Sequence, residues 1–150
     1  MDDIDRKIVK MLQADGRINY SEIAKRLNLA NATVHARIIK LLRNKTIQNF
    51  SVNINPESIG KPLSFLLSIC VDHQKDTPQE TLPKLLELKE LVKVYCVTGE
   101  WDYHLLFQTK DVGSMKLIVT GEIKKKVPHI LRSSAQIILD SQEKPISLES

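Results

Sequence analysis

Hydrophobic positions along the chain change period near residue 47. Before it they recur at helical spacing. Ile4, Ile8, Met11 and Leu12 fall on one helix face. The acidic residues ahead of Ile4 suit the positive end of a helix, and Asp15-Gly16 supplies a stop. Asn19 followed by Glu22 has capping-box spacing before a second, shorter stripe of Ile23, Ala24 and Leu27. A third helix follows Asn28-Leu29-Ala30, with Val34, Ile38 and Leu41 inward. From Ile47 to Ile54 the pattern alternates loosely and predicts a short strand or hairpin. Asn55-Pro56 and Gly60-Lys61-Pro62 are clustered breakers, so the reading divides the chain into domains 1–60 and 61–150.

Beyond the junction, Leu63, Phe65, Leu67, Ile69 and Val71 alternate with more polar positions and predict a strand with one apolar face. Thr77-Pro78 reads as a helix start, but Pro83 would then remove an internal bond, which favours a start at Thr81. Leu82, Leu85 and Leu86 are its expected core face. Two strands, Val92–Thr98 and Tyr103–Thr109, flank a turn at Gly99–Asp102. A helix over Val112–Lys126 turns Met115, Ile118, Val119 and Ile123 inward. A last strand runs from Ile130 to about Asp140, followed by a polar, mobile tail from Ser141. The order β-α-β-β-α-β is the split βαβ, or ferredoxin-like, pattern. The expected fold is therefore α+β, a helical N-terminal unit joined to a C-terminal βαββαβ domain.

Charge sharpens the division. The 150 residues carry a net +4, with ten Lys/Arg against six Asp/Glu in residues 1–60 and twelve of each in 61–150. Within Tyr20–Lys45 six basic residues face one acidic residue, Glu22. A basic unit on a neutral remainder suits a polyanion partner. The longest apolar run, Leu63 to Val71, is half of what a membrane helix needs. The acidic start, Met1 to Asp5, is unlike a secretory or organellar signal. Cys70 and Cys96 are too few for a disulfide framework or a zinc site. The expectation is a cytoplasmic protein with no membrane partner.

Residues 20–43 have the pattern of a helix-turn-helix. Ile23, Ala24 and Leu27 pack against Val34, Ile38 and Leu41, with Leu29 plugging the turn. The opposite face of the third helix carries Ala32, His35, Ala36, Ile39, Lys40 and Arg43. Small residues at 32 and 36 permit close approach to base edges. Asn31, Thr33 and His35 are candidates for reading bases, and Lys25, Arg26, Lys40, Arg43 and Lys45 for holding phosphates. Arg37 borders the packed face and suits either role. In the second half, helices on one side of the sheet leave Ser64, Leu66, Ser68, Cys70, His104, Leu106, Gln108, Arg132, Ser134, Gln136 and Ile138 on the other, with Tyr95 and Val97 or their neighbours. That half-apolar face suggests burial against a second copy. The rival, a single-stranded RNA platform, needs aromatic side chains that this face lacks apart from Tyr95.

These residues resemble the Lrp/AsnC (feast/famine) transcription regulators of bacteria and archaea. The likeness lies in Ile4-Asp5-Arg6-Lys7-Ile8 through Leu12-Gln13-Ala14-Asp15-Gly16-Arg17, then Ile23 to Leu29 with Val34, Arg37, Ile38 and Leu41. It continues in Asn55-Pro56 with Gly60, and in Val97-Thr98-Gly99-Glu100-Trp101-Asp102-Tyr103. The resemblance implies a winged helix-turn-helix that binds double-stranded DNA and a βαββαβ effector domain. It also implies a homodimer that assembles to an octamer or another higher oligomer. An amino acid or related small molecule is the implied effector, and no other cofactor is expected. Carried over, Gly99, Glu100, Trp101 and Asp102 form the effector turn, and Ser133, Ser134 and Gln136 supply polar contacts. Asp102 suits an α-ammonium group, or equally a turn whose Asp caps its own backbone. Ala30 stands where the family has a capping Ser, so Asn31 is a candidate cap one residue later. Lys45 and Asn49 stand where the family favours Gly, and Asn44 and Asn49 tolerate left-handed backbone.

Signatures of enzymes are missing: there is no Gly-rich phosphate loop, no G-x-S-x-G, and no metal-spaced pair among His35, His73, His104 and His129. No catalytic or metal-binding residue is assigned. The reading is a DNA-binding regulator. The alternative is a small-molecule-binding enzyme or enzyme regulator on the ferredoxin-like half, with the basic helices as a dimerisation arm.

Overall fold

The computed structural model describes residues 1–148. The chain forms two compact units, residues 1–53 with 142–148, and residues 54–141. The junction thus lies between Asn53 and Ile54, a few residues before the breakers at Gly60 and Pro62. Residues 142–148, read as part of the second domain, fold with the first, where the Gln13 side-chain amide donates to the Ile146 carbonyl at 3.2 Å. The last two residues of the expected tail lie outside the described region.

The first unit is three helices, α1 (Asp3–Ala14), α2 (Tyr20–Leu27) and α3 (Asn31–Arg43). The capping box expected at Asn19 and Glu22 is not formed there. Glu22 instead reaches forward to Arg26 at 2.8 Å, and the Asn19 carbonyl closes the first turn of α2. The box occurs on α1, where Asp2 accepts from Asp5 N–H at 2.8 Å and Asp5 accepts from Asp2 N–H at 3.2 Å. Two acidic caps also favour the positive end of the helix. Asn28, left-handed at φ +53°, ends α2. α3 starts straight after Ala30 with no side-chain cap, and Asn31 is its first helical residue rather than a substitute cap. Ile8, Leu12, Ile23, Ala24, Val34 and Ile38 form the buried core, and Leu29 and Ile47 pack against it.

Past α3 the left-handed residue is Lys45, at φ +61°, while Asn44 stays at φ −86°. Lys45 N–H bonds the Leu42 carbonyl at 3.1 Å and Ile47 N–H bonds that of Leu41 at 3.0 Å, which turns Ile47 back onto the core. The strand expected over Ile47–Ile54 is not formed. Its alternating Phe50, Val52 and Ile54 remain exposed, because a strand needs a ladder partner and none of the described residues provides one.

The second unit contains β1 (Leu63–Val71), α4 (Pro78–Leu86), β2 (Leu91–Cys96), β3 (Tyr103–Thr109), α5 (Val112–Leu117), α6 (Ile123–Lys126) and β4 (Ile130–Ile137). The strands form one antiparallel sheet in the order β2-β3-β1-β4. Phe65, Leu67, Ile69 and Val71 of β1 and Tyr103, Leu105 and Phe107 of β3 are buried with Leu85, Leu88, Ile118, Ile123 and Val127. Phe65 and Phe107 stack with centroids 4.9 Å apart. α4 starts at Pro78 and keeps Pro83 inside, so the start at Thr81 is not used. Its inward residues are Thr81, Leu82 and Leu85, and Leu86 points to solvent. The expected Val112–Lys126 helix is divided by a wide turn with i→i+5 bonding at Ile118–Glu122. β4 ends at Ile137 rather than Asp140, although Ile138 N–H still bonds the Ser64 carbonyl at 2.9 Å.

A lysine held in the left-handed region is strained relative to glycine by about 1 kcal/mol. Lys45→Gly is therefore expected to stabilise the first unit by about that much, read as a higher urea midpoint at unchanged slope.

Candidate nucleic-acid interface and ligand turn

α3 is held from one side. Val34, Ile38 and Leu41 are buried, while Asn31, Ala32, Thr33, His35, Ala36, Ile39, Lys40 and Arg43 are exposed. A free face with two alanines flanked by polar and basic side chains can lie close to a polyanion. Lys25 and Arg26 lie exposed on α2, Arg26 paired with Glu22, and Lys45 follows the end of α3. His35 tilts toward Tyr20, with ring centroids 6.0 Å apart. Ala32, Thr33, Ala36 and Lys40 line one open depression with Asp2 and Arg37.

Arg37 separates from the other candidates. Its guanidinium bonds Asp2 at 2.6 Å and the buried Asp5 at 2.8 Å, clasping α3 to the start of α1. The structural side of its dual reading is the one the geometry occupies. The Arg37 hydrogen bond, helped by Asp5 N–H, holds the Asp2 carboxyl below the usual carboxylate range.

The turn after β2 is a tied loop. Gly99 sits at φ +113°, a conformation that favours glycine. Val97 N–H bonds the Asp102 carbonyl and Asp102 N–H bonds the Ile69 carbonyl, each at 3.0 Å. One Asp102 oxygen accepts from Val71 N–H at 2.8 Å and the other lies 2.9 Å from His73 Nε2. The Asp102 carboxylate thus caps backbone and fixes the turn to the end of β1. The Glu100 carbonyl accepts from the Cys70 thiol and from Arg132 Nη2, both at 3.0 Å. Arg132 Nη1 also meets the Glu100 carboxylate at 3.1 Å, and its guanidinium lies 4.4 Å from the Trp101 ring centroid.

Pairing opposite Ser68 and Leu66 puts Ser134 and Gln136 on the open sheet face, whereas Ser133, opposite Ile69, points to the other side. Sequence reasoning placed Arg132 on the open face but did not connect it with the turn. Its register partner, Cys70, is the signal that could have done so, being on the strand next to it. His73 was missed because it follows the end of β1. The open face is partly self-satisfied: Ser68 Oγ lies 2.7 Å from His104 Nδ1, and Ser64 bonds Gln108. Tyr95 pairs with His104 and lies on this face. Cys70 and Cys96 are free thiols on strands separated by β3. Among the described residues no cluster of His, Cys, Asp and Glu could hold a metal ion, and no helix is long and apolar enough to cross a membrane.

A three-helix unit with an exposed basic face on its third helix, joined to a βαββαβ sheet domain, defines the class of two-domain helix-turn-helix proteins. The AsnC-type helix-turn-helix domain matches residues 1–42, and the Lrp/AsnC ligand binding domain matches residues 64–145. The chain belongs to the Lrp/AsnC family of transcriptional regulators. It is 32% identical over 149 residues to an HTH-type transcriptional regulator of Pyrococcus abyssi, covering 99% of each chain. It is 30% identical to the HTH-type transcriptional regulator FL11 of the same organism, covering 99% of this chain and 95% of that one. Among solved structures, the feast or famine regulatory protein of M. tuberculosis complexed with L-methionine is 31% identical, with a TM-score of 0.86 over 95% of each chain.

The Arg37 clasp carries a pH dependence. Because the folded-state pKa of Asp2 is depressed below 3.8, its stabilisation is present above that value and lost as pH falls through the folded one. Urea midpoints measured from pH 5 to 2 are expected to fall less steeply in Arg37→Ala than in the unaltered chain. Parallel slopes would remove the clasp as a source of acid sensitivity.

Proposed function

We propose that this chain is a sequence-specific DNA-binding regulator of the cytoplasm, acting as a homodimer or a larger assembly and responding to an amino acid. The carrying observation is the free face of α3, opposite a fully buried stripe of the same helix. Asn31, Thr33, His35 and Ala36 face base edges in this reading, and Lys25, Arg26, Lys40, Arg43 and Lys45 hold phosphates. Arg37 acts by holding α3 to α1. The half-apolar open face of the sheet, with Leu66 and Leu106 between paired polar groups, supports dimerisation through that face. A dimer presents two recognition helices to paired half-sites. The L-methionine in the mycobacterial relative supports an amino-acid effector here, at the turn Gly99–Asp102, with Ser134 and Gln136 further along the open face of β4. Asp102 shapes that turn through Val71 and His73.

Binding to a duplex selected from a randomised pool tests the reading. Affinity measured by fluorescence anisotropy is expected to fall steeply with salt, with a log–log slope of roughly −0.9 per phosphate contact. Lys40→Ala weakens all duplexes alike and makes that slope shallower by about one. Thr33→Ala or His35→Ala narrows the gap between selected and scrambled duplexes by about 1–3 kcal/mol. Unchanged binding in all three variants removes α3 from the interface. Leu66→Asp is expected to yield monomers in sedimentation, and an intact assembly in that variant rules out the open face as the interface.

A further inference from the structure

We propose that Arg132 is the carboxylate receptor of the turn Gly99–Asp102, and that the Glu100 side chain competes with an incoming amino-acid carboxylate for it. The proposal rests on the effector reading above and assigns its recognition chemistry to one side chain.

The guanidinium is fixed by contacts that do not need the Glu100 carboxylate. Nη2 donates to the Glu100 main-chain carbonyl at 3.0 Å, lies 3.8 Å from Cys70 Sγ, and the planar group rests 4.4 Å from the Trp101 centroid. Removing the Glu100 carboxylate from Arg132 therefore leaves the guanidinium in place with Nη1 free. The pair itself, Nη1 to Oε1 at 3.1 Å, is open to water, with side chains 52% and 67% exposed. An exposed ion pair is weak and exchangeable. With Nη2 on the Glu100 carbonyl, Nη1 is the donor released when the Glu100 carboxylate leaves, and it makes a charge-assisted hydrogen bond to any carboxylate that takes its place. A free α-carboxylate thus replaces Glu100 with a partner of the same chemistry.

Asp102 does not compete for that position. Its two oxygens are held by Val71 N–H and His73. The turn therefore contains two acidic side chains of different kinds, one committed to backbone and one on an exchangeable contact. The ligand class follows: an α-amino acid with its carboxylate free, whatever its side chain. A purely structural strut would brace the turn equally for a ligand with or without that charge.

The experiment uses the full chain. Twenty amino acids are screened by thermal shift, and the strongest binder, with L-methionine in any case, is compared by calorimetry with its α-carboxamide. The carboxylate form is expected to bind about tenfold or more tightly than the amide. In Arg132→Gln the preference falls to about twofold or less, through loss of carboxylate binding. Arg132→Lys, which keeps the charge but loses the seat on the Glu100 carbonyl and Trp101, falls between. Glu100→Gln, which leaves the main-chain contact intact, tightens the carboxylate form about threefold and leaves the amide unchanged. Arg132→Gln with a tenfold preference retained overturns the receptor assignment, and Glu100→Gln with no gain overturns the competition. Should Arg132→Gln fail to fold by circular dichroism, the Lys and Glu100 variants decide. If the unaltered chain binds none of the twenty, the effector reading itself falls, and this inference with it.

Discussion

A helix that reads a DNA groove must keep its angle while its outer face exchanges water for a polyanion. α3, the proposed reader in this chain, meets that constraint through two different interactions. Val34, Ile38 and Leu41 bury its inner stripe against α1 and α2. Arg37 then ties its flank to Asp2 and Asp5. Apolar burial is strong but non-directional, so it fixes that the helix packs more firmly than how it is rotated. The guanidinium clasp is directional and adds the rotation. Asp5 is buried and therefore needs this partner, because an unpaired buried carboxylate is costly. The same two aspartates cap α1, so the start of one helix and the pose of another depend on a shared pair of side chains.

Most of the architecture was legible because the chain's periods are clean. The alternation over Leu63–Val71 gave β1 at its observed bounds, and Tyr103–Thr109 likewise gave β3. The helix-turn-helix followed from the stripes at 23–27 and 34–41. What escaped was local backbone chemistry. Spacing alone put a capping box at Asn19, yet Glu22 had a better partner one turn on, in Arg26. Residue preference offered Asn44 and Asn49 as tolerant of left-handed backbone, whereas the residue past α3 that adopts it is Lys45, where the family favours Gly and where the turn returns Ile47 to the core. Pro83 was read as a barrier to an early helix start, but the packing of Thr81, Leu82 and Leu85 outweighs one lost backbone bond. The segment Ile47–Ile54 has a strand's pattern without a strand's partner.

The candidate sites divide in the same way. The exposed face of α3 is a matter of helical period, and each residue assigned to it from the wheel is exposed. Only Arg37, at its border, needed coordinates to decide. The turn Gly99–Asp102 is a matter of contacts between residues far apart in sequence. Asp102 reaches Val71 and His73, and Arg132 reaches Glu100 and Trp101, across separations that no spacing rule reports. Ser133 and Ser134 illustrate the remaining limit: adjacent in sequence, they face opposite sides of the sheet, since a strand's side chains alternate.

That alternation also gives one small sheet two different faces. The helices cover only one side of β1 and β3, so every second residue goes into the core and every other one is left over. On the leftover side the polar groups do not lie free. Ser68 is nearly fully buried and bonds His104, and Ser64 bonds Gln108. Pairing within the face lowers the cost of covering it with another surface, because fewer groups lose water without compensation. Near the turn, however, Arg132 keeps its charge on an exposed partner. The sheet thus grades from a self-satisfied middle, suited to burial, to an edge whose ionic contact can be exchanged. Arg132 lies on β4, the strand that pairs directly with β1.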